Sequence, residues 1–128
     1  MNRGRGIKVL ISMIGMDSHT TGAEVVATLL RESGFEVVYL GTNQTPAMIV
    51  NAAIDEDVDV IGISLHASNF ALLDDLMDLV ATHQLADVPV VCGGNIPPRQ
   101  VEKLLALGVA KIFLPGSPGD AIVGYLAG

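Results

Sequence analysis

The segment Val58-Asp59-Val60-Ile61-Gly62-Ile63-Ser64 is apolar on both faces of an extended chain and ends in a hydroxyl. A half-exposed strand alternates polar and apolar residues, whereas a strand apolar on both faces belongs inside a parallel sheet covered by helices. Working backward from this segment, Thr45 and Pro46 read as the N-cap and first residue of a helix ending near Glu56. Phe35–Leu40 reads as a strand. Ala23–Ser33 places Val26, Leu29 and Leu30 on one helical face, and Gly34 stands where a helix C-cap wants it. Ile7–Ile14 is the first apolar strand. Working forward, Ser68–His83 carries Phe70, Leu73, Met77 and Val80 at helical spacing, and Val88–Cys92 is a fourth strand. Gly93–Pro98 reads as a loop, and Val101, Leu104 and Leu105 mark a helix stopped by Gly108. Ala110–Leu114 is a fifth strand, Pro115–Gly119 a turn and Asp120–Ala127 a short last helix.

Five strand–helix alternations predict an α/β fold, a single flavodoxin-like (Rossmann-like) doubly wound parallel sheet of five strands in the order 2-1-3-4-5. The 128 residues fit one domain, 1–128, without a linker, repeat or low-complexity tract, and residues 1–6 are expected to be disordered. Ligands of such sheets bind beyond the carboxyl ends of the strands, where the strand order reverses. That rule selects Gly15–Gly22, Ser64–Asn69, Gly93–Pro98 and Pro115–Gly119.

Composition narrows the function. A formal charge of −7 would repel nucleic-acid phosphates, and no basic stripe offsets it. The single cysteine, Cys92, excludes an internal disulfide framework, and with three scattered histidines it argues against a structural zinc site. The apolar runs are strand-length, too short for a bilayer span. Met1–Gly6 carries two arginines but no h-region or cleavage site follows. A soluble cytoplasmic protein is expected, with no membrane or nucleic-acid partner.

The first selected loop reads Gly15-Met16-Asp17-Ser18-His19-Thr20-Thr21-Gly22. Asp17 and His19 are two apart, so a turn can bring the carboxylate to one imidazole nitrogen and leave the other as a lone-pair donor. A carboxylate in that position orients a ligating histidine and raises its basicity. Taken alone, the pair also reads as a helix cap beside a solvent-exposed histidine. Ser64 ends the strand neighbouring the first. Gly93-Gly94 would let a bulky ligand approach the backbone or simply form a tight turn. Gly116 and Ser117 admit the same two readings.

The ordered set Asp17-x-His19-x-x-Gly22, Ser64, Gly93-Gly94 resembles the cobalamin-binding signature of adenosylcobalamin-dependent mutases. The likeness runs from about Ile7 to Ser117. Gln44-Thr45-Pro46 and Ile96-Pro97-Pro98 are similar to methylmalonyl-CoA mutase and its acyl-CoA relatives, and Gly93-Gly94-Asn95-Ile96 is also similar to the small subunit of glutamate mutase.

The resemblance implies that adenosylcobalamin binds with its cobalt held from below by His19, in place of the cofactor's own base. Asp17 would hydrogen-bond the far nitrogen of His19, these two being the implied catalytic pair. Met16, Ser18, Thr20, Thr21 and Gly22 would surround them. The displaced nucleotide tail would run beside the sheet, with Ser64 bonding its base and Leu65 and His66 nearby. Gly93, Gly94, Asn95, Gly116 and Ser117 would line its channel. Two departures stand out: His66 where leucine is usual, and Ser18 where glycine is commoner.

The family's radical isomerisation relies on the cofactor for the hard chemistry and on protein for position and electrostatics. Substrate binding calls for a (β/α)₈ barrel of about 250 residues, so a large partner subunit is implied. An acyl-CoA is favoured over glutamate as substrate by Gln44-Thr45-Pro46 and Pro97-Pro98. A corrinoid methyl carrier would use the same histidine loop but usually brings a helical bundle before the sheet. A flavin carrier would suit Ser18–Gly22 as a phosphate loop but wants flanking aromatics, and only Tyr39 and Tyr125 plus three phenylalanines are present. A phospho-receiver would want aspartate where Ser64 stands and lysine at the end of the fifth strand, which Lys111 begins.

Overall fold

A computed structural model describes residues 6–14, 21–65, 70–83, 85, 87–114 and 117–127. The expectation for residues 1–6 falls outside this set except at Gly6.

The strands are β1 (Lys8–Met13), β2 (Glu36–Gly41), β3 (Val60–Leu65), β4 (Val90–Gly94) and β5 (Lys111–Phe113). They form one parallel sheet in the order β2-β1-β3-β4-β5, as the alternating pattern predicts. The helices are α1 (Thr21–Glu32), α2 (Pro46–Glu56), α3 (Phe70–Thr82), α4 (Val101–Ala106) and α5 (Gly119–Ala127), with a 3-10 turn at Pro98–Gln100 before α4.

Period-two alternation along each strand divides the core into two layers. Leu10, Ile61, Ile63, Leu65, Val90 and Cys92 point to one face and pack with α2, α3 and α4. Val9, Ile11, Met13, Val60 and Val91 point to the other and pack with α1 and α5. Both faces are apolar because both are covered, the condition that Val58–Ser64 signals in the sequence. The cores are large for the chain: Leu10, Ile14, Leu30, Ile49, Ile61, Leu73 and Leu76 are completely buried.

Local chemistry sets the helix ends. Thr45 adopts an extended backbone and its Oγ1 accepts the Met48 N–H at 3.2 Å, while Pro46 takes the first helical position. Gly34 and Gly108, with φ of 94° and 108°, end the segments after α1 and α4 in the left-handed region that suits glycine.

The main departure from the sequence reading is at the carboxyl end of β4. Gly93-Gly94 continues the strand instead of opening the loop: Gly93 pairs with Ser64 and Gly94 with Leu65. The unspent backbone groups of β3 draw the two glycines into the ladder, outweighing their poor strand propensity. Likewise β3 begins at Val60 and runs to Leu65, later than the apolar run suggests.

Replacing Thr45 with alanine removes the N-cap acceptor of α2. Thr45→Ala should lower unfolding free energy by about 1 kcal/mol, read as a shifted denaturant midpoint with unchanged slope.

Candidate functional site

The carboxyl edge of the sheet opens into a groove of about 440 Å³ between α1 and α5, above strands β1, β3, β4 and β5. Its volume lies within the range of about 300–1,000 Å³ common to small-molecule sites. Three sheet positions facing α1 and α5 are short or lack a side chain: Gly62, Ser64 and Gly93. Ser64 and Gly93 are direct neighbours across the ladder, and Gly62 pairs with Val91. Two helices over five strands would close against larger residues; here the floor is low and a trough remains.

The paired glycines have different jobs. A Cβ on Gly93 would meet only the Phe113 oxygen at 3.7 Å and the Phe113 Cβ at 3.9 Å, ordinary contacts. The space above Gly93 is therefore groove. A Cβ on Gly94 would lie 2.7 Å from the Leu65 oxygen and 3.1 Å from its nitrogen, and its φ is 107°. Gly94 is demanded by the backbone, Gly93 by the cavity.

Of the residues singled out in the sequence, Gly22, Ser64, Gly93, Gly94, Asn95 and Ser117 line this one groove. Gly22 stands in the first turn of α1, with open space around it. Ser64 is half-buried at the end of β3, and Asn95 is exposed just beyond β4. The Ser117 hydroxyl donates to the Leu114 carbonyl at 2.7 Å. Thr21 begins α1. Leu65 turns its side chain into the opposite layer, among the α2–α3–α4 core. Met16, Asp17, Ser18, His19, Thr20, His66 and Gly116 lie outside the described residues.

The depth of the groove was not visible in the sequence. Gly62, Ile11 and Val91 form its lower floor, with Val26, Ile122 and Leu126 on the walls. The space above Gly62 is partly taken by Ile11, whose Cδ1 lies 2.9 Å from where a Cβ would stand. A usable signal existed: glycine inside an apolar central strand marks a close approach. The groove also borders Cys92, whose side chain is 1% exposed. Burial pushes its thiol up to about 12, which leaves it protonated and inert near neutrality.

The arrangement can hold an elongated, largely apolar ligand segment, entering at Gly22, Ser64 and Asn95 and lying against the strands. The Gly93 opening and the apolar depth fit the nucleotide tail of a cobalamin, which has a flat heteroaromatic base to bury. Among the described residues no helix is long and apolar enough to cross a membrane.

Gly93→Val should leave the melting temperature nearly unchanged while filling the groove. Gly94→Ala should destabilise by about 2 kcal/mol or more, because it forces a Cβ into the Leu65 backbone. Thermal denaturation of the two variants separates the roles. Cys92 should resist iodoacetamide at pH 8 in the native protein and react once denatured. Since the folded thiol holds its proton more tightly than the unfolded one, its contribution to stability is intact below pH 9.0 and declines as pH rises toward about 12.

Comparison with known proteins agrees with this geometry. A family model described as the B12 binding domain matches residues 7–123. The pivalyl-CoA mutase small subunit of Xanthobacter autotrophicus is 40% identical over 119 residues, covering 93% of this chain and 80% of that protein. The 2-hydroxyisobutanoyl-CoA mutase small subunit of Aquincola tertiaricarbonis is 36% identical over 118 residues, covering 91% and 87%. Human mitochondrial methylmalonyl-CoA mutase is 37% identical over 115 residues, which are 89% of this chain but 15% of that enzyme. A solved cobalamin-binding protein from Desulfitobacterium hafniense DCB-2 has the same fold, with a TM-score of 0.82 and 21% identity over 97% of this chain and 60% of that one. The chain belongs to the B12-binding domain family.

Proposed function

We propose that this B12-binding chain is the small subunit of an adenosylcobalamin-dependent acyl-CoA mutase, an isomerase completed by a separate large subunit. The observation that carries the reading is the groove itself. It begins where Gly22, Ser64 and Gly93 meet at the sheet's carboxyl edge and continues down the face beneath α1 and α5. Relatives named as acyl-CoA mutase small subunits span most of their length with this chain, which favours an acyl-CoA substrate over glutamate.

Within this reading His19 would hold the cobalt and Asp17 would orient the imidazole through its other nitrogen. When bound, the cofactor would supply the radical chemistry of a weak cobalt–carbon bond. The chain's own residues bind and position. Ser64 offers a hydroxyl to the tail, Gly93 leaves room for it, and the apolar floor excludes water from it. Apolar burial of a ligand segment in the groove would contribute at about 25 cal/mol per Å².

The large partner is a (β/α)₈ barrel that binds substrate and covers the carboxyl-edge loops. Support comes from the human mutase, in which the matched region is 15% of a longer polypeptide. The rest of such an enzyme is what a partner would supply. The cytoplasm is the compartment proposed, in keeping with one buried cysteine.

His19→Ala should abolish imidazole coordination while leaving the fold intact. Electron paramagnetic resonance of the cob(II)alamin complex should show nitrogen coupling from imidazole in the native chain and none in the variant. An unchanged spectrum would remove His19 from the cobalt.

A further inference from the structure

We infer that Ser12 is a positioning residue for the cobalt ligand: its buried hydroxyl fixes the last peptide of β1, from which the chain leaves the sheet toward Asp17 and His19. This rests on the reading of His19 given above and adds a residue that belongs neither to the Asp17–His19 loop nor to the lining of the groove.

Successive residues of a parallel strand turn their N–H and C=O groups toward alternate neighbours. In β1 the phase is set by Ile7, whose carbonyl accepts the Glu36 N–H at 3.0 Å. β1 stays in register with β3 from Val9 to Met13, so its odd-numbered residues, Met13 included, direct their backbone groups toward β2. β2 does not stay alongside. It pairs in step as far as Tyr39 opposite Ile11, then skips Leu40 and sets Gly41 opposite Ser12, a bulge. Gly41, with φ of 87°, ends the strand, and Asn43 follows with φ of 60°. The Gln44 Nε2 donates to the Thr42 carbonyl at 3.2 Å and to the Leu40 carbonyl at 3.5 Å, which ties this turn to itself. The pairing of β1 with β2 therefore stops at Ser12, one residue short of the Met13 carbonyl.

The Ser12 hydroxyl fills the gap by donating to the Met13 carbonyl. Among the described residues Ser12 is the one buried polar side chain, with 0% exposure. A hydroxyl shut away from water costs free energy unless it is bonded, and so does a buried carbonyl; a single bond satisfies both. Met13 and Ile14 are fully buried too, Met13 in the α1–α5 layer and Ile14 in the opposite one. Three consecutive residues thus clamp the exit of β1. Two side chains hold its place, and the Ser12 hydroxyl holds the tilt of the Met13–Ile14 peptide. Asp17 and His19 follow three and five residues after Ile14. A rotation at the base of a loop is carried along it, whereas a ligating side chain must be held within roughly 10–20° of its productive direction.

A double-mutant cycle on cobalamin affinity tests this, by equilibrium dialysis of the purified full chain as native protein, Ser12→Ala, His19→Ala and the double variant. Ser12→Ala should weaken cobalamin binding about 3- to 10-fold while His19 is present and change nothing further in the His19→Ala background. Circular dichroism confirms the fold of each form. Should Ser12→Ala not fold, Ser12→Cys keeps the volume with a weaker donor and goes through the same cycle. A packing defect acts whether or not His19 is there, so equal weakening in both backgrounds, or none in either, overturns the positioning role. If His19→Ala by itself binds cobalamin as tightly as the native chain, the failure lies earlier, in the assignment of His19 to the cobalt.

Discussion

Strand β3 is hydrogen-bonded on both sides, and this double pairing constrains everything around it. With β1 and β4 as neighbours, its backbone is consumed by the sheet, so only side chains distinguish its two faces. On one face Ile61, Ile63 and Leu65 fill the larger core. On the other, Val60 gives way to Gly62 and Ser64, and the sheet surface falls away toward the carboxyl end. The same strand thus anchors the hydrophobic core and supplies the floor of the groove. Because the core beneath is complete, the floor does not collapse when its glycines leave space above them.

That asymmetry explains how a chain of 128 residues combines a sizeable cavity with a well-filled core. The α2–α3–α4 layer carries most of the fully buried large side chains. The α1–α5 layer is held by a smaller cluster, including Leu30, Phe35, Val123 and Leu126, placed around the groove and not across it. Gly119 lets the start of α5 lie close to Leu29 of α1: a Cβ there would stand 2.8 Å from the Leu29 Cδ2, so the leucine side chain would have to shift. The walls meet at that point and stand apart where the trough runs.

The chain belongs to the B12-binding family, and its groove explains residue choices outside the short signature. Gly62 and Val91 have no part in the Asp17-x-His19-x-x-Gly22 pattern, yet they line the same groove. Gly93 and Gly94, adjacent in sequence and alike in chemistry, answer to different constraints: a cavity above one and a backbone beside the other.

The residue pattern was enough for the fold class, the strand order and the loops at the carboxyl edge. Those follow from local periods and from chirality: two-sided apolar runs, helical spacing and capping residues such as Thr45, Pro46 and Gly34. It also brought Gly22, Ser64, Gly93 and Asn95 together, since strand order alone puts their segments side by side. How deep the site runs and what lines it emerged only from the packing of the whole chain. Ile11, Gly62, Val91, Val26 and Ile122 are distant in the chain and look like ordinary core residues. Which of them face a cavity depends on the ladder register and on where α1 and α5 come to rest. The reach of β4 into Gly93-Gly94 was hidden for the same reason: hydrogen bonding to a neighbouring strand outweighed glycine's own preference.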